Sequence, residues 1–542
     1  MAQSAKIKVV DIFAGPGGLG EGFSSFLAGS KAPFKIVISA EKDSVAHQTL
    51  TLRAFFRRFE SADVPEEYYQ IVRGEIEPKD LEGTLAKEWR EAEKEALLLE
   101  LGPESERLHK EIRARINTAK EPWVLVGGPP CQAYSLAGRS RNKGKKDYVA
   151  EDDNRHYLYR EYLQILSNFA PPVFIMENVK GILTAEVGGE RMFPTILQDL
   201  HDPSKALGRR SQAIYDIYPL SAGAPQNAYV QGESPNALDR FLVRSEELGI
   251  PQARHRVILL GIKRGPGLKQ PKPMERADLV SIGEVIRDLP KLRSGLSKGD
   301  SGEKWLAAVT QQKAKVLEAL QGRQDLEEVR YAVLDTEFIA DAPRLSDRKP
   351  DGRSHIKYAD WYHDSRLNCT LNHSTRGHMP SDLGRYLYCA AFAKVMDGRS
   401  PTTSKEDFPT KLKANHKNWA TGKFANRFKV QSEQFPSSTI VSHISKDGHY
   451  FIHHDASQCR SFTVREAARA QTFPDNYFFM GGRTDQYHQV GNAVPPLLAR
   501  KIAEVVYGCM KDTYAAALKK KRMKRRVKRR DGRRKGRGNA GA

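Results

Sequence analysis

This sequence predicts an α/β fold, a doubly wound sheet joined to a second, smaller and irregular domain, and three observations predict it. Short apolar runs without polar alternation recur through the N-terminal half. Each run stops at glycine, at an acid or at a proline-cysteine pair. A long stretch of different composition then interrupts the pattern before it resumes near the C-terminus.

The runs come in order as Lys8 to Phe13 (KVVDIF), Lys35 to Ala40 (KIVISA), Trp123 to Val126, Val173 to Met176, and the VILLGI run that follows Arg256. The brevity and continuous hydrophobicity of the first four predict strands of a parallel sheet covered on both faces, with ligands bound beyond the strand ends, and the fifth run is another strand. Residues from about 80 to 120 are charge-dense and rich in Ala, Glu, Leu, Lys and Arg, which predicts exposed helices inserted in the sheet domain. Thr463-Val-Arg-Glu466 fits a capping box that opens a helix through Ala470, and a further helix is expected from Pro495 to about Met510. The expected layout is a catalytic domain over 1–290, a smaller domain over 291–454, a return to the first domain over 455–511, and a tail over 512–542.

Composition narrows the function classes. The chain has 542 residues, 39% hydrophobic and 28% charged, which suits a soluble globular protein and excludes collagen-like or fully disordered ones. No apolar stretch approaches the roughly 20 residues of a membrane-spanning helix and no signal peptide is evident, so the expectation is a cytoplasmic protein without a membrane partner. Five scattered cysteines without a Cys-x-x-Cys predict neither a disulfide framework nor a metal site. Of the net charge of +21, +13 lies between Lys519 and Gly538, which reads as a disordered arm with affinity for a polyanion, or as a nuclear-import address.

Gly15-Pro-Gly17-Gly18-Leu-Gly20 follows the first run, and Glu41 ends the second. Glycines there let backbone approach a nucleoside-containing cofactor, and the carboxylate can accept ribose hydroxyls. A nicotinamide or flavin dinucleotide and S-adenosylmethionine (AdoMet) all fit this pattern. Gly127-Gly-Pro-Pro-Cys131-Gln narrows the choice: two prolines stiffen the loop, and a cysteine fixed beside Arg139, Arg141 and Lys143 has the setting of a nucleophile. Glu177-Asn178 ends the next strand, where a carboxyl could exchange a proton with an aromatic base. In Gln252-Ala-Arg254-His-Arg256, strand alternation sends both arginines to one face, suited to a carbonyl oxygen or a phosphate.

AGPGG, GGPPCQAYS, MENV, QARHR, TVREAARAQTFPD and VGNAVPP occur in the order found in DNA (cytosine-5) methyltransferases, which the chain resembles over residues 7 to 264 and 437 to 505. The resemblance implies the Rossmann-like sheet of an AdoMet-dependent methyltransferase acting on carbon 5 of cytosine in duplex DNA, with the irregular spacer as target-recognition domain. It implies Cys131 as nucleophile, Glu177 at the ring nitrogen, and Arg254 with Arg256 near the base carbonyl. Phe13, Ala14, Gly15, Gly17, Gly18, Glu41, Glu75, Pro129, Leu158 and Asn492 would line the AdoMet pocket, with Glu75 standing where the family usually has an aspartate.

A catalytically dead DNA-binding regulator, an RNA cytosine methyltransferase, a dehydrogenase and an amino-group methyltransferase are the rival readings. Intact Cys131 and Glu177, the absence of a Cys-Phe-Thr signature, and a cysteine after Pro-Pro argue against them. Duplex DNA, a possible companion restriction endonuclease and a monomeric state are expected. Within the spacer, Asn372 to Arg376 and Ser442 to Asp447 are expected at DNA, and His449, His453 and His454 at DNA or in structural roles rather than on a metal.

Overall fold

The computed structural model describes residues 6–130, 155–187, 189–225, 227–339, 342–346, 348–351, 355–403, 406–414, 419, 427–446 and 448–538, with 521–538 as a backbone course only. Cys131, Arg139, Arg141 and Lys143 lie outside the described residues.

The sheet is formed by β1 (Ile7–Ile12), β2 (Phe34–Glu41), β3 (Ala96–Leu98), β4 (Trp123–Gly127), β5 (Val173–Val179), β6 (Tyr215–Pro219), β7 (Leu242–Arg244) and β8 (His255–Lys263). Alternate residues of a strand point to opposite faces. In β4, Trp123 and Leu125 enter one apolar cluster while Val124 and Val126 enter another. β1 and β5 divide in the same way, which is why these strands are apolar without alternation. Helices α1 (Gly18–Ser25), α2 (Ser44–Phe56), α3 (Glu66–Arg73), α4 (Gly83–Glu95), α5 (Ser105–Arg115), α6 (Arg155–Phe169) and α7 (Met192–His201) connect the strands.

Strand order is β3-β2-β1-β4-β5-β8-β6, with β7 paired to β8. β1 to β5 run parallel, and the chain leaves β1 toward β2 on one side before returning to β4 on the other. That reversal opens a crevice beyond the carboxyl ends of β1 and β4. The four runs expected to be parallel are so, and β8 joins them antiparallel to both β5 and β6. Apolar content carries no information on strand direction, so the run VILLGI could not disclose this. The consequence is functional: the start of β8, rather than its end, lies beside the end of β5.

The segment expected as a helical insert also differs. It contains β3, the edge strand paired with β2, between α4 and α5. Three residues set among charged helices give no strand signal.

The segment over 291–454 is more regular than its composition suggests. α8 (Gly302–Leu320), α9 (Glu327–Leu334) and α10 (Pro380–Val395) pack Trp305, Val309, Val316, Val329, Val333, Leu387 and Phe392 into a core of their own. α11 (Val464–Ala470) begins with the expected capping box: Thr463 Oγ1 accepts from the Glu466 amide at 3.2 Å, and a Glu466 oxygen accepts from the Thr463 amide at 2.7 Å. On this helix Arg469, fully buried, donates to Asp288 and to both oxygens of Asp475 at 2.9 and 2.7 Å. Asp288 also meets His363 at 2.8 Å. Removing one member of such a buried network costs about 3–5 kcal/mol, so the motif TVREAARAQ welds the chain on either side of the recognition segment.

α12 (Arg483–Asn492) and α13 (Pro496–Gly538) follow. α13 packs its apolar side on the sheet as far as Leu518 and runs on through the basic segment. The disordered arm expected from charge repulsion is thus a helical extension; Ala, Leu, Lys and Arg are strong helix formers, and cations suit a helix C-terminus.

Candidate active site

The crevice is built from five loops. After β1, Phe13 takes the left-handed conformation at φ 55°, unusual for a residue with a side chain. It packs on the same apolar cluster as Leu158 of α6. Gly15 (φ 56°) and Gly17 (φ 96°) complete the turn, and a Cβ on Gly15 would meet open space. The Gly15 amide donates to one Glu41 oxygen at 2.8 Å, while the other accepts the amides of Lys42 and Asp43 at 2.9 Å each. The ends of β1 and β2 are tied together through this carboxylate.

The C-terminal part closes the same loop from above. A Cβ on Gly18 would overlap the Val494 carbonyl oxygen, so only glycine lets α1 reach the loop after α12, the helix whose last residue is exposed Asn492. Tyr477 donates its hydroxyl to the Pro16 carbonyl, and Thr49 donates to Gln489 at 2.6 Å. Beneath the turn, Asp11 is fully buried; burial pushes its carboxyl up to about 7 against the pull of the Gly20 amide.

The residues fit a nucleoside-containing cofactor. Phe13, buried Ala14, Gly15, Gly17, Gly18, Glu41 and Asn492 converge from β1, β2 and α12, and the open space over Gly15 beside a held carboxylate is the required cradle. Glu75 is not among them. It lies in the turn after α3, exposed, with its carboxylate on Arg73 at 2.5 Å. The strand that ends next along the sheet is β3, and the acid following it is Glu100, which meets Lys42 at 3.2 Å.

Across the crevice, a Cβ on Gly127 would come within 2.5 Å of the Ile12 carbonyl oxygen, and one on Gly128 within 2.8 Å of Glu177 Oε2. Two glycines let the end of β4 press against both neighbouring strands. Asn178 donates to the carbonyl of buried Pro129 at 3.3 Å and fixes the loop just before Cys131. Arg256 Nε meets Glu177 Oε1 at 2.8 Å, both partly buried. The antiparallel register sets Arg256 opposite Val179 and Ile258 opposite Glu177, which brings the pair together. Burial lowers the Arg256 guanidinium from its usual range, and Glu177 partly restores it.

Arg254 does something else. It lies in the gap between the two-residue strand Gln252–Ala253 and β8, so the alternation expected to align it with Arg256 is broken. Fully buried, it donates to the carbonyls of Ile440 at 2.7 Å and Gly491 at 3.2 Å. Burial, with Arg256 beside it, pushes its guanidinium well below the arginine range. It braces the loops around the site.

Two glutamines unmarked in the sequence reading serve the same end. Gln252 donates to Gln471 at 3.0 Å and accepts the Ile440 amide at 2.7 Å, and Gln471 donates to the Val490 carbonyl at 2.6 Å. Their presence inside QARHR and TVREAARAQ was the available signal.

In the segment over 291–454, the cluster from Asn372 to Arg376, expected at DNA, turns His373 and Thr375 into the protein and leaves Arg376 half-buried. His373 is buried between the Pro290 carbonyl (2.8 Å) and Thr463 (2.9 Å), and burial pushes it down to about 4. Asn372 binds the Phe479 backbone, and Thr375 is buried. His443 and Lys446, in contrast, are exposed. His449 meets Tyr386 at 2.7 Å, His453 meets Glu466 at 3.4 Å, and burial pushes His454 down to about 3. Among the described residues no group of His, Cys, Asp and Glu could hold a metal, and no helix is long and apolar enough to cross a membrane.

Fold and crevice together define a DNA-methylating enzyme of the cytosine-5 class. The chain belongs to the C-5 cytosine-specific DNA methylase family, whose pattern it matches over residues 76–203 and 239–508, and it is a DNA (cytosine-5-)-methyltransferase of the bacterial modification type. It is 34% identical over 520 residues to the type II methyltransferase M.Bpa9945I of Bacillus paralicheniformis, covering 92% of this chain and 98% of that one. It is 26% identical over 522 residues to the type II methyltransferase M.AgeI of Thalassovita gelatinovora, covering 92% and 99%. The solved structure of a candidate prophage DNA modification methyltransferase (E. coli) aligns with 93% of this chain and all of its own, at 18% identity and a TM-score of 0.49.

Proposed function

We propose that this enzyme methylates carbon 5 of cytosine within one specific duplex DNA sequence, through covalent attack by Cys131 on a flipped-out base. The observation that carries the reading is the Glu177–Arg256 pair at 2.8 Å, against which Gly128 packs, three residues before Cys131 in sequence.

Carbon 5 of cytosine is too weak a nucleophile to be methylated directly. A Cys131 thiolate forms a bond to carbon 6, and the ring electrons displaced by that addition make carbon 5 enamine-like. Glu177 engages ring nitrogen 3 through the oxygen facing Gly128, while its other oxygen stays on Arg256. Arg256 extends toward the base carbonyl, and a Glu177 carboxyl that has taken up a proton from solvent passes it to ring nitrogen 3, so that the negative charge the addition develops is neutralised. Carbon 5, so activated, would take the sulfonium methyl of bound AdoMet as that carbon–sulfur bond breaks, and loss of the carbon 5 proton to a base then expels the Cys131 thiolate and restores the ring. Phe13, Ala14, Gly15, Gly17, Gly18, Glu41, Pro129, Leu158 and Asn492 would hold AdoMet, which when bound supplies an electrophilic sulfonium methyl group. Addition to a ring face is impossible inside a base stack, so the cytosine leaves the helix at a cost of a few kcal/mol.

The segment over 291–454 serves as target-recognition domain, and the enzyme acts as a monomer in the cytoplasm, paired with a companion endonuclease or alone. Incubating the enzyme with methyl-tritiated AdoMet and duplex DNA, then digesting to nucleosides, is expected to place label in 5-methyl-2′-deoxycytidine. Label elsewhere, or none, overturns the reading.

The basic end of α13 adds sequence-independent attraction to the phosphate backbone. Deleting residues from Lys519 onward is expected to weaken DNA binding and flatten its salt dependence, with the same target methylated. Salt titrations and bisulfite sequencing check both parts; a changed target would mean that this helix reads bases.

A further inference from the structure

Three arginines meet at the seam between the recognition segment and α12. Arg344 and Arg483 donate to the same acceptor, the Thr375 carbonyl, each at 3.0 Å. Arg376, on the next residue, donates to the Ile444 carbonyl at 2.7 Å and lies over the Tyr487 ring at 4.8 Å. Arg376 and Arg344 both disfavour the charge on Arg483, in addition to partial burial, so the three groups repel one another.

Neutralisation within the protein is small. Asp300 meets Arg344 at 3.2 Å, but Arg293 already occupies both of its oxygens at 2.9 and 3.2 Å. Among the described residues neither Arg376 nor Arg483 has a carboxylate partner, and the buried Nε atoms of Arg344 and Arg376 have no hydrogen-bond acceptor. The assembly is nonetheless built: a Cβ at Gly295 would overlap the Arg344 guanidinium, so this backbone is shaped to seat it. Arg483 is exposed, and the Arg344 side chain retains 34% of its exposure.

We propose that Arg344, Arg376 and Arg483 form a clamp for a backbone phosphate of the duplex DNA substrate. Like charges held together in partial burial are relieved by an anion, and planar guanidiniums match phosphate oxygens in pairs. The turn held by Arg376 through Ile444 carries exposed His443 and Lys446, so the positive surface continues past the clamp. α12 spans from Arg483 to Asn492, so the same rigid helix that bears one arginine ends at the cofactor loop. A bound phosphate thereby sets the register of the duplex against the catalytic crevice while leaving sequence readout to other contacts.

This inference rests on the proposed reaction, and its test separates the two. Binding constants of the full-length enzyme would be measured against salt for a target duplex and a scrambled duplex of equal length. For the double variant R344Q/R483Q, the slope of log K against log salt should fall by about 0.9, the loss of one phosphate contact, and by a smaller amount in R344Q or R483Q alone, with affinity of the double variant for both duplexes reduced roughly five- to tenfold at 0.1 M salt. R344K and R483K should keep most of the slope. Arginines that only brace the backbone would leave the slopes at the wild-type value, and that result overturns the clamp. Because Arg483 is exposed, R483Q decides the matter if R344Q lowers the melting temperature. If the wild-type enzyme binds duplex DNA but methylates nothing, the proposed reaction falls while the clamp is still read from the slopes.

Discussion

Cys131→Ser is expected to abolish methyl transfer, lowering turnover by roughly 10⁴-fold or more, while AdoMet and duplex DNA still bind. A serine hydroxyl keeps the size of the side chain but is almost wholly protonated near neutral pH, whereas a thiol sits within reach of ionisation at about 8.5 and falls lower beside cationic groups. The loop before it is held independently of that side chain, by the Asn178 bond to Pro129 and by the contact of Gly128 with Glu177, so the substitution should leave the crevice intact. Single-turnover assays for transfer, and calorimetry for cofactor binding, check both halves. A serine variant with appreciable turnover would rule out covalent catalysis.

Glu177→Gln should lower kcat by roughly 10²- to 10³-fold, with the KM for AdoMet changed less than about threefold. The amide retains the shape and one hydrogen bond but can neither deliver a proton to a ring nitrogen nor balance Arg256 at 2.8 Å. The cofactor loops are tied through Glu41, Tyr477 and Val494, none of which touches Glu177, so the two kinetic parameters should separate. Steady-state kinetics at saturating DNA decide it; activity within threefold of wild type would remove Glu177 from the chemistry. An equal loss in both parameters would point to a collapsed crevice.

Much of this site was legible in the sequence because the strands that build it are buried on both faces. β1, β4 and β5 announce themselves as apolar runs, and the residues at their ends inherit a place at the crevice from the topology alone. Glu41 and Glu177 follow from the strand ends, whereas Phe13 and Pro129 follow from the family resemblance. What escaped reading depended on direction, length or a break in regularity. The reversed course of β8 leaves no trace in hydrophobicity, yet it is what brings Arg256 to Glu177. β3 has three residues, too few to signal a strand, and Glu75, named by the family resemblance, instead sits exposed on Arg73. Arg254 shares a motif with Arg256, but the strand is interrupted at that residue, and its guanidinium turns into the protein to hold Ile440 and Gly491. Buried arginines are a general trap of this kind: Arg254, Arg460, Arg465 and Arg469 look like DNA-binding charge in sequence and are fully internal in the fold.

The most direct test of the account places 5-fluorocytosine at the methylated position of the target duplex, that position being located by bisulfite sequencing of DNA from cells expressing the enzyme. Fluorine cannot leave carbon 5 as a proton does, so an enzyme that has attacked carbon 6 and transferred its methyl group stays bonded to the base. With AdoMet present, the account predicts a complex that survives denaturation and a peptide map in which Cys131 carries the modified base. A denaturation-sensitive complex, or an adduct on any other side chain, would contradict it.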